Sequence, residues 1–205
     1  RCCTQNGIRG GSATVHFPIW HQEIEDIIVL KNNKGTEDNR VRKLDYSIQL
    51  SKLFYARFIA DGEISLFSPH DVPGLYDAFG TESFDELYEE YERSDVPRKT
   101  IKAQELILNL LKERAETGRI YIMNIDHCNS HSSFTDKVEM SNLCQEITLP
   151  TKPVQHIDDE NGEIALCILS AINIGKIRDV QDLETLCDLS VRSLDELIDF
   201  QRYPV

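Results

Sequence analysis

Apolar residues at positions 20, 24, 27, 28 and 30 recur at the spacing of one helix face, which predicts a helix from Trp20 to Leu30. The polar run KNNKGTEDNRVRK (31–43) reads as a loop, Asp45–Leu50 alternates like a short strand, and Leu53, Phe54 and Phe58 predict a helix behind it. Glu63–Phe67 reads as a strand running into SPHDVPG, where two prolines and a glycine force a turn. Ser83 and Glu86 have capping-box spacing ahead of Phe84, Leu87, Tyr88 and Tyr91, which follow at helical intervals. Over 99–117 the stripe Ala103, Leu106, Ile107, Leu110 and Leu111 predicts the clearest helix, with Gly118 as its stop. RIYIMN (119–124) and SNLCQEI (141–147) read as strands. The nearly continuous apolar run GEIALCILSAINIG (162–175) fits a strand buried on both faces. Asp179–Phe200 closes the pattern as an amphipathic helix with Leu183, Leu186, Cys187, Leu194, Leu197 and Ile198 on its apolar stripe. Strands separated by long helices predict an α/β fold with largely parallel pairing.

Composition adds limits. The 205 residues are 40% hydrophobic and 28% charged, which suits one globular domain or a piece of a larger one. A net charge of −13 makes a nucleic-acid-binding surface an unfavourable expectation, so DNA is not an expected partner. No apolar run reaches the ~18 residues of a membrane span. The chain opens on Arg1 and stops at Val205 directly after a helical pattern, so it is expected to be cut from a longer one. Six cysteines without paired spacing point to reduced thiols and a cytoplasmic location.

Three stretches carry candidate chemistry. In SNLCQEI an extended backbone would put Asn142, Cys144 and Glu146 on one edge, about 6.5–7 Å apart, aligning an amide, a sulfur and a proton acceptor. Gln145 breaks the apolar alternation, and a strand with one buried cysteine between solvent-facing polar residues explains the same pattern. IDHCNSH offers His127, Cys128 and His131, too few ligands for a zinc site by themselves, so packing or a local polar network is the expected role. TQNGIRGG lacks the Gly-Lys-Ser/Thr ending of a phosphate loop and is not a dinucleotide fingerprint. Cys167, inside an apolar strand, reads as a core thiol, and so do Cys128 and Cys187.

Taken together, TQNGIRGG, KNNKGTEDNRVRKLDY, LFSPHDVPGLYDAF, TGRIYIMNIDHCNSH, SNLCQEITLPTKP and DDENGEIALC resemble, in that order and from end to end, the large subunit of class I ribonucleoside-diphosphate reductase. The resemblance implies a ten-stranded α/β barrel with a finger loop inside it. This chain would be one incomplete catalytic domain from its centre: a specificity-loop region (1–12), the finger loop (140–147) and a buried strand with a redox cysteine (162–175). Cys144 would become the thiyl radical that removes the 3′ hydrogen of the ribose, Glu146 would be the general base at the 3′ hydroxyl, and Asn142 would hold the substrate hydroxyls. Cys167 would be half of a redox dithiol whose partner lies upstream of this chain. Gln5 and Arg9 would relay an effector signal to the substrate base, and Arg119 would stand near the radical's route.

The same resemblance implies a ribonucleoside diphosphate substrate, ATP or deoxynucleotide effectors, and a homodimer of large subunits. It also implies thioredoxin or glutaredoxin as reductant and a metal-containing small subunit that supplies the radical, with no cofactor or metal bound by this piece. Alone, a part-barrel with unpaired strand edges is expected to be unstable and inactive. A nucleotide-binding or interaction module without activity, or a cobalamin-dependent relative that shares the fold, are the alternatives.

Overall fold

In the computed structural model, which describes residues 4–5 and 7–202, the chain forms two compact units, residues 1–150 and 151–205. The first unit opens on a two-stranded antiparallel ribbon, β1 (Thr4–Gln5) and β2 (Arg9–Gly10), turning through Gly7 at φ 70°. A parallel sheet follows in the order β3–β4–β7, from Thr14–Pro18, Asp45–Leu50 and Ile120–Asn124. Between β3 and β4 lies the short helix α1 (Ile24–Ile28). Between β4 and β7 come α2 (Lys52–Ile59), β5 (Glu63–Leu66), α3 (Leu75–Ala78), α4 (Phe84–Arg93), β6 (Lys99–Lys102) and α5 (Ala103–Thr117). Helix α6 (Ile125–Ser130) follows β7 directly.

Alternation along β4 explains the sheet's two faces. Tyr46, Ile48 and Leu50 point into a core with Ile24, Ile27 and Ile28 of α1 and Ala103, Leu106, Ile107 and Leu110 of α5. Ser47 and Gln49 point the other way and are equally buried, at 0% and 1% exposure. A second, aromatic core of Trp20, Phe67, Phe79, Phe84 and Tyr88 gathers beyond the strands, around Met123 and Ile125. There Tyr88 Oη donates to Ser65 O (2.6 Å) and accepts from Ser65 N (2.7 Å), so one side chain satisfies both backbone groups of Ser65. Arg57 lies over its ring and forms a two-pronged ion pair with Glu92 at 2.6 Å. Burial pushes the Tyr88 phenol far above its usual value, so it stays neutral in this pin.

Most predicted elements stand, with local corrections. Trp20–Gln22 do not join the predicted helix, because Phe67 N donates to Trp20 O and Gln22 N donates to Phe67 O, tying that stretch to the end of β5. Residues 99–102 pair with β5, Ile64 opposite Ile101, so the long helix starts at Ala103. Leu111 is 45% exposed and falls off the buried stripe. Ser83 holds the N-cap of α4 but makes no cap bond, since its hydroxyl lies 2.9 Å from Thr81 Oγ1.

The second unit overturns a larger expectation. Residues 162–175 form no strand buried on both faces: Ile164, Leu166 and Leu169 are 55%, 54% and 78% exposed, and Cys167 is exposed as well. Their β-type contact among the described residues is the isolated bridge Lys152–Glu163, and Ile174–Lys176 turn as a short 3-10 helix. A strand buried on both faces belongs to a sheet with a layer packed over each face, and no strand pairs with 164–173 among the described residues. Helix α7 (Asp182–Phe200) forms as predicted, yet Leu186, Cys187, Leu197 and Ile198 on its stripe are exposed. Cys187 is therefore no core residue here.

Candidate active site

SNLCQEI is a closed loop and not a strand. Gln145 N donates to Asn142 O (3.2 Å), and Gln145 takes a left-handed φ of 65°. Ile147 N donates to the Asn142 side-chain oxygen at 3.0 Å, and Asn142 N donates to Ile147 O at 3.4 Å. Ser141 Oγ reaches the same side-chain oxygen at 3.1 Å. Asn142 and Ile147 thus close the base of the loop, and residues 143–146 form its tip. Asn142 is half-buried; Cys144 and Glu146 are exposed. The three come together on one short turn, in place of the flat edge that an extended backbone would give. A thiol that sequence alone could equally assign to a core faces solvent.

The loop is fastened across all three parallel strands. From β3, Thr14 Oγ1 donates to Leu143 O (2.6 Å), and His16 Nε2 lies 3.1 Å from Ser141 O. From β4, Ser47 Oγ donates to Gln145 Oε1 (2.6 Å) and Gln49 Nε2 donates to Glu139 O (2.5 Å). On β7, Ile122 O accepts from Gln145 Nε2 at 2.7 Å. The polar face of β4 is therefore a seat for the loop, and burial of Ser47 and Gln49 is compensated by these bonds. Sequence reasoning passed over Thr14, His16, Ser47, Gln49 and Gln145. A usable signal was present in the polar members of the DYSIQL alternation, Ser47 and Gln49, on a strand otherwise fit for a core.

His16 gives the seat a pH dependence. Burial holds its pKa below the usual 6.5, and its hydrogen bond to Ser141 O only partly opposes this. With Nε2 donating to that carbonyl, Nδ1 is the site a second proton would take, and Nδ1 is buried without a partner. A histidine with a depressed folded-state pKa contributes stability that is complete above the unfolded value and lost as pH falls through the folded one. The midpoint for unfolding of this unit should therefore drop on acidification from about pH 7.5 to below pH 6.5. His16→Gln, which keeps a donor and cannot charge, should reduce that dependence to the part left by His21, which burial also holds below 6.5; an equal drop in the variant would remove His16 as a source.

Gln5 and Arg9 face each other in the register of β1 and β2, but their side chains lie outside the described residues. Arg119 is exposed, one residue before β7. His127 and His131 bring their rings to 5.9 Å, edge to face. With the half-buried Cys128, Gln145 and Thr148 they line a cleft of about 370 Å³ that none of Asn142, Cys144 or Glu146 lines. Burial raises the Cys128 thiol, which keeps it protonated and poorly nucleophilic. Among the described residues, no group of three or more His, Cys, Asp or Glu could hold a metal ion. No helix among them is long and apolar enough to cross a membrane.

The family of the ribonucleotide reductase barrel domain matches residues 1–205. The ribonucleoside-diphosphate reductase subunit alpha of Haemophilus influenzae is 60% identical over all of this chain, which covers 28% of that protein. The phage T4 subunit alpha is 44% identical, again over the whole chain and 28% of the relative. The large chain of Neurospora crassa is 32% identical over 96% of this chain and 21% of its own length. The chain thus spans less than a third of the length of these relatives. It belongs to the ribonucleotide reductase large-subunit family, as part of the barrel domain.

Proposed function

We propose that the parent protein reduces ribonucleoside diphosphates to 2′-deoxyribonucleoside diphosphates by thiyl-radical chemistry, and that this chain carries the loop on which it occurs. The observation that carries the reading is an exposed Cys144 at the tip of a loop clamped over the polar face of parallel strands. A finger inside a ten-stranded barrel requires such an arrangement, with strand backbones around it and its tip free to meet a ligand.

In this reading the Cys144 sulfur, as a thiyl, takes the 3′ hydrogen atom of the ribose and returns it after reduction. Glu146 accepts the 3′ hydroxyl proton as general base. Asn142 has its side-chain oxygen committed to Ile147 N and Ser141 Oγ, which leaves its amide N–H groups to donate to a substrate hydroxyl. Cys167 and a second thiol outside this chain supply two electrons and two protons. The 2′ hydroxyl leaves as water, the dithiol becomes a disulfide, and thioredoxin or glutaredoxin reduces it again. The metal-containing small subunit supplies the radical, with Arg119 beside its route. ATP or deoxynucleotide effectors act through Gln5 and Arg9 in a dimer of large subunits.

The exposed Ile164, Leu166 and Leu169 beside Cys167 favour activity only in the full-length protein, where further chain can cover them. Full-length large subunit assayed with its small subunit, a dithiol reductant and a ribonucleoside diphosphate should form deoxynucleotide. Absence of product, or product only on adding cobalamin, overturns the reading.

A further inference from the structure

We infer that Gln145 is a positioning residue for this chemistry: by locking the loop tip to two strands, it sets where Cys144 and Glu146 stand, resting on the roles proposed above for those two. Gln145 lies between them in the chain. Its backbone is left-handed, one of two non-glycine residues with positive φ among the described residues. A side chain other than glycine is disfavoured there and keeps the conformation only when its surroundings hold it.

The holding groups are visible. The Gln145 amide oxygen accepts from Ser47 Oγ at 2.6 Å, and its amide nitrogen donates to Ile122 O at 2.7 Å. Ser47 is fully buried on β4, and Ile122 lies on β7 in register with Ile48. One planar group is thus bonded at both ends to neighbouring strands, and turning it breaks two hydrogen bonds together. Thr14 and His16 fasten the loop through the carbonyls of Leu143 and Ser141, ahead of Cys144. Gln145 fastens it between the sulfur and the carboxylate. Reacting groups that drift by about 1 Å lose on the order of 10²-fold in rate, because the attack geometry is lost while binding persists.

The test uses the full-length large subunit with its small subunit. Gln145→Met keeps length and bulk without either hydrogen bond, and Ser47→Ala removes the partner hydroxyl. Each should lower kcat about 10- to 100-fold with KM for the ribonucleoside diphosphate nearly unchanged. The double variant should fall little further than the worse single one, because both break the same clamp. Gln145→Gly relieves the left-handed backbone, so folding is not strained, and should lose kcat in the same way. The positioning role is overturned if Gln145→Met and Gln145→Gly turn over at the parental rate, or if the two single losses multiply in the double variant. Should Cys144→Ser keep turnover, the reading beneath falls and the positioning role with it. Should Cys144→Ser be inactive while the Gln145 variants are not, only the positioning role falls.

Discussion

Cys144→Ser in the full-length large subunit is expected to remove turnover, by at least about 10³-fold, the scale seen when the group that performs the chemistry itself is deleted. Serine keeps the shape and polarity of the side chain. Its O–H bond, however, is much stronger than S–H, so it neither carries the radical nor hands a hydrogen atom back to the sugar. Nucleotide binding should stay near the parental value, for two reasons. The side chain is exposed, and the loop is held by the Leu143 carbonyl and the Gln145 amide on either side of it. Single-turnover assays with a ribonucleoside diphosphate, beside a binding titration, separate the two quantities. Deoxynucleotide at a rate close to the parent's would end the assignment of Cys144.

Glu146→Gln is expected to lower kcat by about 10²–10⁴-fold, the range for loss of a positioned general base. The amide fills the same volume and still accepts a hydrogen bond, so KM should move little. What it cannot do is take the 3′ hydroxyl proton as the hydrogen atom leaves. Glu146 is exposed at the loop tip, which gives it access to a ligand and makes a folding defect in the variant unexpected. A kcat within a few-fold of the parent would remove Glu146 from the reaction.

Elements whose signal is local were legible. β4 occupies Asp45–Leu50 as its alternation predicts. Helix α5 carries Ala103, Leu106, Ile107 and Leu110 inward and stops at Gly118, which takes φ 66°. The motifs that resemble the reductase large subunit were legible too, because they are runs of residue types independent of where the chain goes. Conformation at 141–147 was not. Its extended reading rests on Asn142, Cys144 and Glu146 alternating, whereas the bonds that shape the loop reach partners 98 and 129 positions away in Ser47 and Thr14. Gln145, the residue that spoiled the alternation, does so because it is an anchor.

Residue types and their spacing suffice for the family, the periodic helices and strands, and the side chains able to supply a thiol, a carboxylate and an amide. Contacts between distant parts of the chain put these three on one closed turn, make Ser47 and Gln49 a polar seat beneath it, and pair 99–102 as a strand. They also leave the apolar stretch around Cys167 uncovered within its own unit. The reason is the range of the forces involved. Periodicity and turn chemistry act between near neighbours, while burial and loop anchoring depend on groups that only folding brings within hydrogen-bond reach.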